Sequence, residues 1–127
     1  MKTRYTVVLS MIAGAAVGAA AIQGLHAQAK PKAYIITDIE VLDPAANAAF
    51  TPLIRASQQA AGGRNLGTAG GKIVAFVGEA PKSVGIVEWD SLDAAVAWRN
   101  GNAWKDLSPQ RDKAVKIIRQ FAVEARN

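Results

Sequence analysis

"AYIITDIEVLDPAANAAF", residues 33–50, decides the fold, because its apolar period changes from two residues to about 3.6 across a single Asp-Pro step. The β-branched content of residues 33–42 predicts a strand. Its alternation puts Ile35, Thr37, Ile39 and Val41 on one face, and Tyr34, Ile36, Asp38 and Glu40 on the other. Asp43 is a helix N-cap, and Pro44 stands at the first helical position, where a missing N–H is harmless. Ala46, Phe50, Leu53, Ile54 and Ser57 then recur at helical spacing, until Gly62-Gly63 ends the element. Pro52 cannot donate to the carbonyl of Ala48, which predicts a kink.

Further along, "RNLGTAGGKIVAFVG", residues 64–78, reads as a strand interrupted by a bend at Gly67 to Gly71. Its glycines lack phosphate-loop spacing, and no helix follows them, so a turn or bulge is the reading. "SVGIVEW", residues 83–89, is a third strand, with Val84, Ile86 and Glu88 opposite Gly85, Val87 and Trp89. Ser91 caps the next helix, and Asp93 lies in its first turn, where a negative charge complements the dipole. Asn100-Gly101-Asn102 breaks that helix, and residues 103–112 read as an irregular helical stretch. The last strand is "AVKIIRQFAVEA", residues 114–125, with Val115, Ile117, Phe121 and Val123 sharing a face with Arg119. The order βαββαβ predicts an α+β fold of the ferredoxin-like kind: an antiparallel sheet with two helices on one face. The other face needs a cover, and in so short a chain a second copy would supply it as a homodimer.

Toward the N-terminus, Lys2 and Arg4 precede an uncharged apolar run over residues 6–22, and small residues follow. That order predicts a secretory signal over residues 1–29, cut after Ala27 or Ala29, and a periplasmic or secreted location. The alternative is an uncleaved membrane anchor, since the run is near the lower length limit for spanning a bilayer. Cleavage leaves residues 30–127 as one small domain with no membrane contact.

Export also changes the chemistry open to the domain. The only histidine, His26, and both methionines, Met1 and Met11, belong to the leader, and the chain has no cysteine. Imidazole, thiol and thioether catalysis, haem ligation and Cys/His zinc sites are therefore outside the mature domain's means, and no cofactor or metal is expected. Fifteen basic residues stand against ten acidic ones; without Lys2 and Arg4 the balance is 13 against 10, a net charge of +3. The basic residues are scattered, and the loose group Arg111, Lys113, Lys116 and Arg119 reads as a solvated face, so no nucleic-acid partner is expected.

Residues 33–50, the "GGR" at 62–64, "VGIVEWDSLDAAVAW" and the W-K-D-L-x-P-x-R run ending at Arg111 together resemble the domain of unknown function 1330 family, over residues 33–125. The resemblance implies a small dimeric α/β barrel and no defined reaction. By position, its Asp-Pro step, helix-ending glycines, third-strand acid and late arginine correspond to Asp43-Pro44, Gly62 and Gly63, Glu88, and Arg111. The chain departs from the pattern at Asn47 and Phe50 in the first helix and at "GNAW", residues 101–104, where phenolic hydroxyls are missing.

The candidate ligand-binding residues are Asp38, Glu88, Trp104, Arg111 and Arg119. Asp38 and Glu88 lie on neighbouring central strands; on a shared face, one carboxylate would have a raised pKa. Arg111 or Arg119 would pair with such an acid or bind an anion bidentately. The competing reading is a structural salt bridge at a sheet edge or interface. Trp98 reads as core, while Trp104, after the glycine break, suits either core or a pocket mouth. Two functions follow. One is a module that binds a small anionic or aromatic molecule; the other is a cofactor-independent enzyme of monooxygenase, isomerase or decarboxylase type, with proton transfer by Asp38, Glu88 or Tyr34. An enclosed pocket around one of those three groups would discriminate between them.

Overall fold

Two strands that exchange backbone hydrogen bonds along their whole length form the centre of the molecule. In the computed structural model, which describes residues 30–126, these are β1 (Ala33–Val41) and β3 (Ser83–Trp89), paired antiparallel. The signal-like leader, its cleavage patterns and His26 lie outside the described residues. β2 (Arg64–Asn65) flanks β3, and β4 (Val115–Glu124) flanks β1, so the sheet reads β2-β3-β1-β4 and is antiparallel throughout. The fold is α+β, and the described residues form four helices: α1 (Pro44–Ala60), α2 (Leu92–Arg99), α3 (Asn102–Asp106) and α4 (Ser108–Ala114).

The caps act as the residue types predict. The Asp43 carboxylate accepts from the N–H groups of Ala45 and Ala46 at 2.9 and 3.2 Å, and the Ser91 hydroxyl accepts from Ala94 N–H at 3.1 Å. α1 ends at Gly62, whose φ of +95° is one that L side chains rarely adopt. Gly63 next to it answers a different need: a Cβ there would lie 2.8 Å from the ring of Trp89.

The odd-numbered face of β1 is the covered one. Ile35, Val87, Trp89, Ala95, Trp98 and Trp104 form the main core beneath α2 and α3, and Phe50, Ala114 and Val115 form a second cluster between α1, α4 and β4. The three indoles touch in succession, Trp89 and Trp98 tilted at 33° with centroids 5.3 Å apart, and Trp98 and Trp104 edge to face at 74° with centroids 5.4 Å apart. Trp98 also donates its N–H to Ser57 Oγ at 3.3 Å, which ties α2 to α1.

Three sequence expectations need correction, and a fourth, the irregular helical stretch, is borne out in finer detail. The strand read over residues 64–78 shrinks to Arg64–Asn65, followed by Leu66 N–H donating to the Ile86 carbonyl at 2.9 Å, and a long connection then runs from residue 67 to 82 without sheet pairing. The irregular stretch at 103–112 resolves into two short helices, α3 and α4, with Pro109 in the first turn of α4. In β4 the register shifts between the partners of Asp38 and Ile39, and Ile118 is the extra residue. Val115 and Ile117 therefore face the helices, while Arg119, Phe121 and Val123 face the opposite side beside Asp38, Ile36 and Tyr34. Finally, α1 turns Asn47, Phe50, Thr51, Ile54 and Gln58 inward and leaves Leu53 exposed. The helix runs without interruption through Pro52.

Candidate functional site

A chamber of about 340 Å³ lies between the covered sheet face and helices α1, α3 and α4. That is at the lower end of the size of small-molecule sites. Its floor is the odd-numbered face of β1, from Ile35 to Val41, together with Ser83, Gly85 and Val87 of β3 and Val115, Ile117 and Gln120 of β4. Its roof is the α1 stripe Asn47, Phe50, Thr51, Ile54, Arg55 and Gln58, which follows from the i, i+3, i+4 spacing of one helix face. Trp98, Trp104 and Arg111 close one end, and Ala69, Gly70 and Lys82 of the 67–82 connection border the other side.

Among the charged residues of this wall there are three cations, Arg55, Lys82 and Arg111, and no carboxylate. Lys82 is neutralised by Glu40, at 3.2 Å. Arg111 is buried and has no carboxylate at ion-pair distance among the described residues. Its guanidinium donates to the carbonyl of Trp104 at 2.8 Å and to Ser108 Oγ at 2.9 Å, and it lies over the Trp104 ring with Cζ 3.9 Å from the centroid. Arg99 also lies over that ring, at 4.1 Å. Burial lowers the pKa of both guanidiniums, the mark of cations held away from water.

Three neutral polar groups of the wall, Gln58, Thr37 and Ser83, have an acceptor in use and a donor left over, whereas Thr51 donates its hydroxyl to the Asn47 carbonyl at 2.7 Å. Gln58 Oε1 accepts from Asn65 Nδ2 at 3.1 Å, so the amide N–H groups of Gln58 have no partner within the described chain. Thr37 Oγ1 accepts from Gln120 Nε2 at 3.0 Å, and Ser83 Oγ accepts from Gly70 N–H at 3.0 Å; each hydroxyl proton stays free to donate. Gln120 in turn accepts from Arg99 Nε, which fixes its amide and keeps its nitrogen toward Thr37. Sequence reasoning missed Thr37, Gln58 and Gln120 as a set; the α1 stripe containing Asn47, Thr51 and Gln58 was the available signal.

The five sequence candidates divide between two faces of the sheet. Trp104 and Arg111 come together at the end of the chamber. Asp38, Glu88 and Arg119 lie on the opposite, open face. There Arg119 Nε meets Asp38 Oδ2 at 3.2 Å, on the far side of the sheet from Arg111. Glu88 pairs in register with Tyr34, four residues along β1 from Asp38, so the two acids are about 13 Å apart along the strand. Glu88 accepts from Arg64 Nε at 2.7 Å and from the Tyr34 hydroxyl at 3.1 Å. Arg64 first and Tyr34 second hold its pKa below the ordinary glutamate value, and the same bond raises that of Tyr34. Arg64 and Lys32 both reach Asp90, at 3.1 and 2.9 Å, which extends a surface ion-pair network. Among the described residues no group of three or more His, Cys, Asp or Glu is arranged to hold a metal, and no helix is long and apolar enough to cross a membrane.

The chain is similar in structure to a protein of unknown function from Rhodopseudomonas palustris, with a TM-score of 0.59 at 16% identity, covering 84% of this chain and 92% of that one. The methylated form of that protein gives a TM-score of 0.58 at 16% identity, over 84% and 90% of the two chains. At this identity the likeness concerns the fold alone. No curated protein matches the sequence. The family described as Domain of unknown function (DUF1330) matches residues 32–125, nearly all of the described residues, and the chain belongs to that family.

Proposed function

We propose that this is an exported, homodimeric module of ferredoxin-like, dimeric-barrel type that binds a small organic anion with an apolar or aromatic body in the chamber. The observation that carries the reading is the chamber's one-sided polarity: a buried arginine without a counter-charge, surrounded by side chains with donors to spare. Arg111 is held by the Trp104 carbonyl, Ser108 Oγ and the Trp104 ring, all neutral partners, and an anionic guest adds the opposite charge that they do not supply. Phe50, Ile54, Val87 and Trp98 supply the apolar surface for the rest of the guest. The basic and apolar leader pattern supports export, and the strand order β2-β3-β1-β4 with helices over one face supports the ferredoxin-like assignment. The face opposite the helices is bordered at its Asp38 end by Glu79, Ala80, Pro81 and Lys82, and the exposed Phe121 and Val123 beyond them support a second copy as the cover of the rest. Tyr34, Asp38 and Glu88 do not line the chamber; the buried Asp38 borders a separate, more open pocket on the opposite face, where Arg119 engages it at 3.2 Å, and this favours binding over catalysis in the chamber.

Isothermal titration with benzoate and with neutral benzamide tests the charge preference. Benzoate binds at least about tenfold tighter if the guest supplies the counter-charge, a difference of about 1.4 kcal/mol. Equal affinities remove the anion from the proposal. Failure of both probes, together with a ligand-free mass for the protein purified from its own host, removes small-molecule binding itself.

A further inference from the structure

The segment Lys72–Ile73–Val74–Ala75–Phe76–Val77 has the composition of a strand, with β-branched or aromatic residues at four of its six positions. Yet it has no pairing partner among the described residues. No backbone hydrogen bond joins residues 72–82 to any other described residue, and the root of the connection is held instead at Thr68 and Gly70. Phe76 and Val77 are 93% and 96% exposed, and Val74 is exposed beside them. Phe76 alone leaves on the order of 150 Å² of ring surface in water. Together with Val74, Val77 and the sheet's apolar face, this approaches or exceeds what a monomer usually exposes in one patch, about 300–600 Å².

We infer that residues 72–77 form an exchanged arm, which adds as a strand to the β4 edge of a second copy. The inference rests on the homodimer reading above and names the contact that holds it. β4 is an edge strand, bonded only to β1, so its outward backbone groups are unpaired. The bulge at Ile118 interrupts that edge and leaves Arg119–Glu124 as its regular part, six residues to match the six of the arm. Phe121 and Val123, both exposed, receive Val74 and Phe76, which share one face of the arm, while Val77 turns to its other face. Symmetry makes the reach reciprocal. A two-fold axis along the strands that stacks two open faces sets the β2 side of each copy, where the arm is rooted, beside β4 of the other. Each copy thus gives one arm and receives one, and the interface approaches the roughly 800 Å² per partner of a stable dimer.

The absence of cysteine makes the test clean. Full chain, as its own host processes it, is examined by sedimentation equilibrium as wild type and as the F76D/V77D variant, with circular dichroism as the folding check. The arm predicts a dimer for the wild type and a dissociation constant raised about 100-fold or more in the variant. It also predicts that a chain carrying both F76C and F121C forms a disulfide-linked dimer under mild oxidation, while neither single substitution does. A dimeric wild type with an unchanged constant in the variant overturns the arm and leaves the homodimer standing. A cross-link by F76C alone places two arm tips together and overturns pairing with β4. A monomeric wild type overturns both readings; if it also co-floats with phosphatidylcholine/phosphatidylglycerol vesicles, the arm serves a lipid surface instead.

Discussion

Gly63 and Trp89 show how closely single atoms are placed. Trp89 is fully buried, and its indole N–H has no hydrogen-bond partner, so the ring is held by packing and by its tilted contact with Trp98. Gly63→Ala puts a methyl group 2.8 Å from that ring. The expected cost is about 1–3 kcal/mol of overpacking, read from urea unfolding, with a shifted tryptophan emission as its signature. At the sheet's other side, Glu88 and Asp90 both have pKa values below their ordinary ones. As pH falls, the unfolded chain takes up these protons first. The stability they contribute is therefore complete above the ordinary glutamate value of 4.5 and is lost as pH falls through the depressed folded values. Urea midpoints measured from about pH 6 down to about pH 3 should fall for the wild type and fall less steeply for Glu88→Gln. The exposed setting of the network keeps the effect small.

At the scale of elements, the bulge in β4 does most to separate the two faces. By simple alternation Ile117 and Arg119 would share a side; the extra residue at Ile118 sends Ile117 to the core and Arg119 to Asp38. Deleting Ile118 makes Ile117 and Arg119 neighbours in a regular strand, so both halves keep their faces, whereas inserting a second residue after Ile118 exchanges the faces of one half. The expected result is cooperative thermal unfolding retained in the deletion and lost in the insertion, followed by circular dichroism. The bulge also marks the limit of what the sequence makes legible. β1, β3 and the caps at Asp43 and Ser91 follow from local residue chemistry, and they are where expected. A bulge is a property of two strands together, and one strand's pattern does not contain it. The chamber was half legible for a related reason. Trp104 and Arg111 are conspicuous residue types, whereas Asn47, Thr51 and Gln58 look like an ordinary solvated helix surface until the fold turns that surface inward. Searching for the most apolar stripe on α1 therefore selects Leu53, which is exposed, and passes over the amides that line the cavity.

For the molecule as a whole, the sheet divides two kinds of chemistry. One side has a chamber rich in hydrogen-bond donors; the other has carboxylates already engaged by Arg64, Arg119 and Tyr34. Partner contact and guest binding thus need not compete for the same surface. They meet in the 67–82 connection, whose root borders the chamber at Ala69 and Gly70 while its apolar segment projects at Phe76. The succession of indoles from Trp89 through Trp98 to Trp104 has an optical consequence. Chromophores this close exchange excitation, so light absorbed at the deep ring is shared with the one under Arg111 and Arg99. Whatever enters the chamber perturbs the last member of that relay and is reported by all three, which gives the protein an intrinsic spectroscopic gauge of its own occupancy.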